Sequence, residues 1–213
     1  MALNVNDTSK RIASVVELSL SPFFKAERFQ KRGPHFYKFG DNFIQVVTVQ
    51  SSLGNTAASG RFRVNFGIHF PAVAEVLLAA DPMPQIPKEH YCILRAILLG
   101  VHLPWWTVTP TTDVRTIAHA LSGHWQDDAW PWMEKNKSLS EAAQTLEHDG
   151  DSWSAAAARL VLGEREEAVR LVKAFIVCLE SSPEANSPAN KKLTLSRLQK
   201  IQGWASQHQL MTS

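Results

Sequence analysis

Residue patterning predicts an α+β fold: an antiparallel sheet of about five strands, beginning as a meander, flanked by helices and followed by an all-helical C-terminal extension. The clearest sign is RFRVNFGIHF at residues 61–70, where Phe62, Val64, Phe66, Ile68 and Phe70 alternate with Arg61, Arg63, Asn65, Gly67 and His69. Such period-2 alternation marks a strand with one buried face. The second sign lies beyond Asp149, where SWSAAAARLVLG, EREEAVRLVKAFIVCLE and KKLTLSRLQKIQGWASQ have helical composition throughout. The expected division is an α+β domain over residues 1–148 and a helical extension over 149–213, docked on it.

In chain order, Asp7, Thr8 or Ser9 can cap a first helix whose apolar stripe is Ile12, Val15, Val16 and Leu20. Pro22 should kink or restart it before Phe23 and Phe24, because proline lacks the N–H and crowds the preceding turn. Gly33-Pro34 then breaks the chain. A short strand over 35–39, turn residues Gly40-Asp41-Asn42 and a second strand over 43–50 make a hairpin. The second strand is apolar on both faces, which suits a central position. A loop over 51–60 leads into the alternating strand.

After Pro71, AVAEVLLAA reads as a short helix and DPMPQIPKEH as a proline-rich loop. The run from Tyr91 to Val101 is apolar except for Arg95 and reads as a buried strand, with a helix left open by periodicity alone. A fifth strand over 104–108 carries Trp105 and Trp106. One helix follows Thr112-Asp113, with Val114, Ile117, Ala118 and Leu121 on its apolar face. Another opens at Ser138, with Glu141 at capping-box spacing. In the tail, two helices form a hairpin around Gly163, their small-residue faces resembling one tetratricopeptide-like unit, and SSPEANSPAN is the loop before the last helix.

The bulk figures exclude more than they assign. Hydrophobic residues are 45% and charged ones 20%, the balance of a folded globular chain, and 22 basic against 20 acidic residues leave a formal charge of +2. That is too little to draw the whole molecule to nucleic acid or an anionic membrane. No signal peptide or membrane-length apolar run is visible, so a cytoplasmic location is expected. Cys92 and Cys178, both in apolar surroundings, read as buried reduced thiols.

Several short runs stand in a recognisable order: Phe29-Gln30-Lys31-Arg32-Gly33 then Phe36-Tyr37, Ile44-Gln45-Val46-Val47 ending in Gln50-Ser51-Ser52, and Phe62 through Ile68. Cys92-Ile93-Leu94-Arg95, Trp105-Trp106 and Pro131-Trp132-Met133-Glu134 follow. Together they resemble a bacterial family known as domain of unknown function 4304, over roughly residues 10–135. The chain departs from the family pattern at Arg28, where a glycine is usual, and its helical tail lies outside the resemblance. The resemblance implies a fold and brings no agreed activity with it.

Four groups of residues are candidates for a site. If Gln45 and Arg95 share the polar face of the alternating strand, then Arg61, Arg63, Asn65, His69, Gln45 and Arg95 form one surface able to bind an anion or carboxylate, which guanidiniums grip in pairs. The competing account is an ordinary solvated sheet face. Arg95 needs an acidic or carbonyl partner if it is buried in its apolar strand. The run KAERFQKRGPHFYKF interleaves Lys25, Arg28, Lys31, Arg32 and Lys38 with Phe29, Phe36 and Tyr37, as a nucleic-acid surface would, or as a helix end and hairpin with inward aromatics would. His119, His124, Asp127 and Asp128 hold metal-ligand chemistry, yet their histidines are spaced five apart across a glycine. Of seven tryptophans, Trp130 and Trp132 beside Pro131 are a candidate exposed anchor for a partner, the rest core or the seam between domain and tail.

No nucleophile elbow, phosphate-cradling loop, HExxH or CxxC motif occurs, so no cofactor or metal is expected. His90 and Cys92 alternate onto one side of a strand but lack an orienting third group. The preferred expectation is a non-enzymatic domain that binds another protein, through the polar sheet face or the tryptophan region; a toxin antidote is one role of that kind. A small-ligand or anion binder or enzyme built on Arg95, Arg61 and Arg63 is the alternative, and weak nucleic-acid binding the second.

Overall fold

Proline lacks the N–H a helix interior uses, yet the first helix, α1 (Val5–Ala26), runs through Pro22 without a break. The carbonyl left without a partner belongs to Leu18, which is exposed to water. The computed structural model describes residues 5–77, 86–99, 104–181 and 188–211. They fall into two compact units: residues 1–70 with 84–137, and residues 71–83 with 138–213.

The first unit is built on a six-stranded antiparallel sheet: β1 (Gln30–Arg32), β2 (His35–Phe39), β3 (Ile44–Ser51), β4 (Gly60–His69), β5 (Leu94–Ile97) and β6 (Trp106–Val108). β1 to β5 are neighbours in chain order, and β6 pairs with β4 beside β5. The strand β1 has no counterpart in the sequence reading, since three polar residues carry no alternation to read. The expected buried strand from Tyr91 to Val101 is corrected. A 3₁₀ turn occupies Glu89–Tyr91, β5 covers four residues, and 100–103 lie outside the described residues, as do parts of the loops expected over 81–90 and 181–190.

The even-numbered side chains of β4 face the helices. Phe62, Val64 and Phe66 join Phe36 and Val47 with Ile12, Val15, Leu20 and Phe24 of α1, Ala118 and Leu121 of α3 (Val114–His124), and Met133 of α4 (Trp130–Lys135). Trp125, in the π-turn Trp125–Ala129 between α3 and α4, is fully buried, edge-on to Phe24 at 4.9 Å. Burying such rings dominates the energetics of a core of this size. Asp113 caps α3, its carboxylate accepting from the Arg115 N–H at 3.0 Å and the Thr116 hydroxyl at 2.8 Å, and these bonds hold its pKa below the usual carboxylate value. Trp130 and Trp132 are not an exposed pair: both are half-buried against this core, with Phe23 5.0 Å from Trp130 and Phe66 5.4 Å from Trp132.

The second unit is all helix: α2 (Pro71–Leu77), α5 (Leu139–His148), α6 (Ser152–Val161), α7 (Arg165–Ser181) and α8 (Pro188–Gln207). Four consecutive alanines of α6, Ala155 to Ala158, are fully buried, because α2, α5 and α7 all pack against this helix and only small side chains allow that approach. Gly163 turns α6 into α7 with φ +79°. Trp204 Nε1 donates to the Val76 carbonyl at 2.7 Å, tying α8 to α2. Helix α5 begins after Ser138 as the capping spacing predicts, but the Ser138 hydroxyl makes no capping bond. Cys178 also departs from expectation. The buried face of α7 is Ala168, Leu171, Val172 and Ile176, and Cys178 falls off it and is exposed, whereas Cys92 is buried.

Candidate functional site

Register decides which polar residues share a face. β3 and β4 pair Gln45 with Ile68, Thr48 with Asn65 and Gln50 with Arg63, and β5 pairs Arg95 with Gly67. Directly paired residues project to the same side. Arg61, Arg63, Asn65, His69 and Arg95 therefore share one face, with Thr48, Gln50 and, from β2, His35 and Tyr37. Gln45 does not. It points into the helix-covered core, fully buried, with Nε2 donating to the Met133 carbonyl at 3.3 Å.

Half of this face is roofed. The chain over Ile86–Cys92 lies across it, so Tyr37 and Val46 pack against Cys92 with Ile44 and Ile86 beside them. Three devices hold the roof down. His69, 3% exposed, places Nδ1 3.2 Å from the Tyr91 carbonyl; Thr48 donates its hydroxyl proton to Glu89 Oε2 at 2.8 Å; and Gly67 leaves the space that Cys92 and Leu94 need. Because the Thr48 proton goes to Glu89, His35 Nδ1, 2.8 Å from Thr48 Oγ1, carries the proton in that bond. Burial lowers the pKa of His69 and of His35, the nearby Glu89 charge opposing the shift at His35. Burial pushes the Cys92 thiol far up, so it stays protonated.

The other half is open. Beyond the roof lies a depression of about 390 Å³ lined by Arg63, Asn65, Glu89, His90, Arg95, Ala96 and Ile97. Gln50 Oε1 accepts from Arg63 Nε at 2.9 Å and from Asn65 Nδ2 at 2.9 Å, and the Arg63 guanidinium stands 5.1 Å from the Trp105 ring centroid. Arg63 is thus held by a hydrogen bond and a cation–π contact while its terminal nitrogens make no hydrogen bond among the described residues. Arg95 is exposed, not buried, and makes no hydrogen bond or ion pair among the described residues: an edge strand turns it outward, so it needs no internal partner. Arg61 is exposed beyond the depression, and its backbone is fixed by Asn55. His90 and Cys92 do not form the strand pair their spacing suggests: the 3₁₀ turn separates them, leaving His90 at the depression and the Cys92 side chain on the underside of the roof. Sequence reasoning misses Gln50 and Trp105 as members of the site: the β3–β4 register reveals the first and the contact with the Arg63 guanidinium the second.

The remaining groups do not assemble sites. His124 and Asp128 form a pair at 3.1 Å, and among the described residues no three His, Cys, Asp or Glu side chains are placed to hold a metal ion. In the basic run, Phe36 and Tyr37 are buried, and Lys38 pairs with Glu27 at 2.8 Å over the Trp130 ring. No helix among the described residues is long and apolar enough to cross a membrane.

Fold and face together define an α+β domain with a partly roofed antiparallel sheet and an arginine-bearing open half. The chain belongs to the family described as Domain of unknown function (DUF4304), whose model matches residues 20–135, more than half of its length. No curated protein and no solved structure matches the chain.

Proposed function

We propose that the sheet-bearing unit is a non-catalytic binding module that docks an acidic group of another protein on the open half of its polar face. The observation that supports this most is the pre-set pair at the depression: Arg63, braced by Gln50 and Trp105, and Arg95, with no internal partner among the described residues. A guanidinium already held in place loses less side-chain entropy on gripping a carboxylate. Exposed Tyr91, Ile97 and Leu99 add apolar area around it, and arginine with aromatic and aliphatic side chains is the usual make-up of a protein interface. The imidazole–hydroxyl–carboxylate chain of His35, Thr48 and Glu89 fits a pin for the roof better than a nucleophile, since Thr48 is 5% exposed. With Phe36 and Tyr37 buried, the basic run has little to offer for base stacking.

A titration with tetraglutamate, followed by amide and guanidinium resonances, tests the reading. Binding that weakens with salt and falls at least tenfold in Arg63→Glu with Arg95→Glu supports it; binding unchanged in that variant, or absent in the native protein, overturns it. A second reading, a small free anion, is favoured by the size of the depression, which lies within the range of small-ligand sites. Succinate and phosphate binding as tightly as tetraglutamate would select it.

A further inference from the structure

The hydrogen-bond phase of the sheet turns one row of backbone groups outward beside the arginines. Leu98 N–H donates to the Val64 carbonyl at 2.9 Å, so residues at even positions of β5 bond to β4. The N–H and C=O of Arg95 and Ile97 consequently point away from β4, and no strand or loop among the described residues bonds to them. Sheet edges of this kind are templates for another strand. The opposite edge is guarded in the usual manner: β1 is three residues long, fully exposed, and carries Lys31 and Arg32. β5 is likewise short, at four residues, but Arg95 is its only charge. Its outward row carries Ile97, 36% exposed, with Leu99 beyond it, 61% exposed, and both Arg95 and Ile97 border the depression.

We propose that the partner's acidic group arrives on an extended segment that adds to the sheet as a strand along β5. This rests on the acidic-docking reading and specifies the shape of what docks. In an added strand, residues paired with Arg95 and Ile97 project onto the same face as the depression. The segment therefore carries a carboxylate opposite Arg95 and an apolar side chain opposite Ile97, two residues apart. Backbone bonds from Arg95 and Ile97 supply affinity, and the arginine pair, with no carboxylate other than Glu89 lining the depression, supplies selection for negative charge. The Glu89 carboxylate accepts the Thr48 hydroxyl, which anchors it on the roofed side.

The probe is the capped synthetic peptide Thr-Glu-Thr-Val-Thr-Glu-Thr, whose acidic and valine residues fall on one face when extended. At saturating peptide, the Arg95 and Ile97 amides should exchange with solvent at least tenfold more slowly, and the peptide with lysine in place of glutamate should leave them unchanged. Two versions N-methylated at alternate residues, one on the Glu and Val positions and one on the Thr positions, should separate: one loses at least tenfold in affinity and the other binds as before. If both methylated versions bind like the parent and the two amides keep their exchange rates while the guanidinium resonances of Arg63 and Arg95 shift, strand addition is overturned and acidic docking stands. If neither this peptide nor tetraglutamate perturbs the face, both fail.

Discussion

The carbonyl oxygen of Leu94 lies 2.5 Å from the point that a Cβ on Gly67 would occupy, and Cys92 Cβ lies 2.8 Å from it. A backbone atom on one side and a buried side chain on the other leave that Cβ nowhere to go. Gly67→Ala should therefore lift the roof or shift β5, destabilising the unit by about 1–3 kcal/mol, the usual range for overpacking. It should also bring Cys92 within reach of a thiol reagent, to which the buried native thiol is inert. Urea denaturation and timed labelling check the two effects; native stability with unchanged labelling would refute them.

The roof should also loosen in acid. His69 is buried and its folded-state pKa is lowered from 6.5, so below pH 6.5 the unfolded chain takes up a proton that the folded chain refuses. Stability contributed by the neutral ring is complete above pH 6.5 and is lost as the pH falls from there through the folded-state value; His35, also lowered, acts in the same direction. The urea midpoint should drop between pH 7.5 and 5, and His69→Gln should flatten that drop.

Gln50 serves two donors with one oxygen, so Gln50→Leu leaves both Arg63 Nε and Asn65 Nδ2 without an acceptor. Asn65 is 6% exposed, and an unsatisfied buried amide costs about 1–3 kcal/mol. Denaturant unfolding should show that loss, and the Arg63 Nε resonance should sharpen as the side chain is released.

Arg28 ends α1 with φ +61°, its N–H donating to the Lys25 carbonyl at 3.2 Å and the Phe29 N–H to the Phe24 carbonyl at 2.8 Å, a Schellman closure. The resemblance implies a glycine at this position, and the positive φ supplies the reason: a side chain is strained there by about 1–2 kcal/mol. Arg28→Gly should raise stability by about 0.5–1 kcal/mol, because the greater freedom of glycine in the unfolded chain offsets part of the relief. A thermal melt of the pair decides it.

Trp204 donates to Val76 across 128 residues of sequence. Trp204→Phe keeps most of the ring and removes that bond, so a loss of about 0.5–1.5 kcal/mol is expected for the helical unit, read from its own unfolding transition.

The strands and helices were legible where one face meets a core. RFRVNFGIHF declares its buried side by alternation alone, and α1 and α3 declare theirs by three- and four-residue steps. What alternation leaves unstated is what lies on the far side. His69 looks like Arg61 in the sequence, yet a segment some twenty residues downstream covers the first and leaves the second in water. Gln45 was placed on the wrong face because β3 is apolar on both, and only the register with β4 gives its parity. Arg95 has apolar neighbours along its run, the pattern of a buried position, whereas β5 lies at the sheet edge and the Arg95 side chain is exposed.

The membership of α2 in the second unit sets an order of events during synthesis. Everything the sheet unit needs has been made once Lys137 is added, but α2 packs on α6, which begins at Ser152, roughly 75 residues after α2 ends at Leu77. At about 5–20 residues per second, that interval is on the order of 4–15 s, during which Val73 and Ala74 have no partner helix to cover them. The nascent chain thus carries a short apolar stretch waiting for its partner helix, and a ribosome stalled near Lys137 would leave α2 made but without the other helices of its unit.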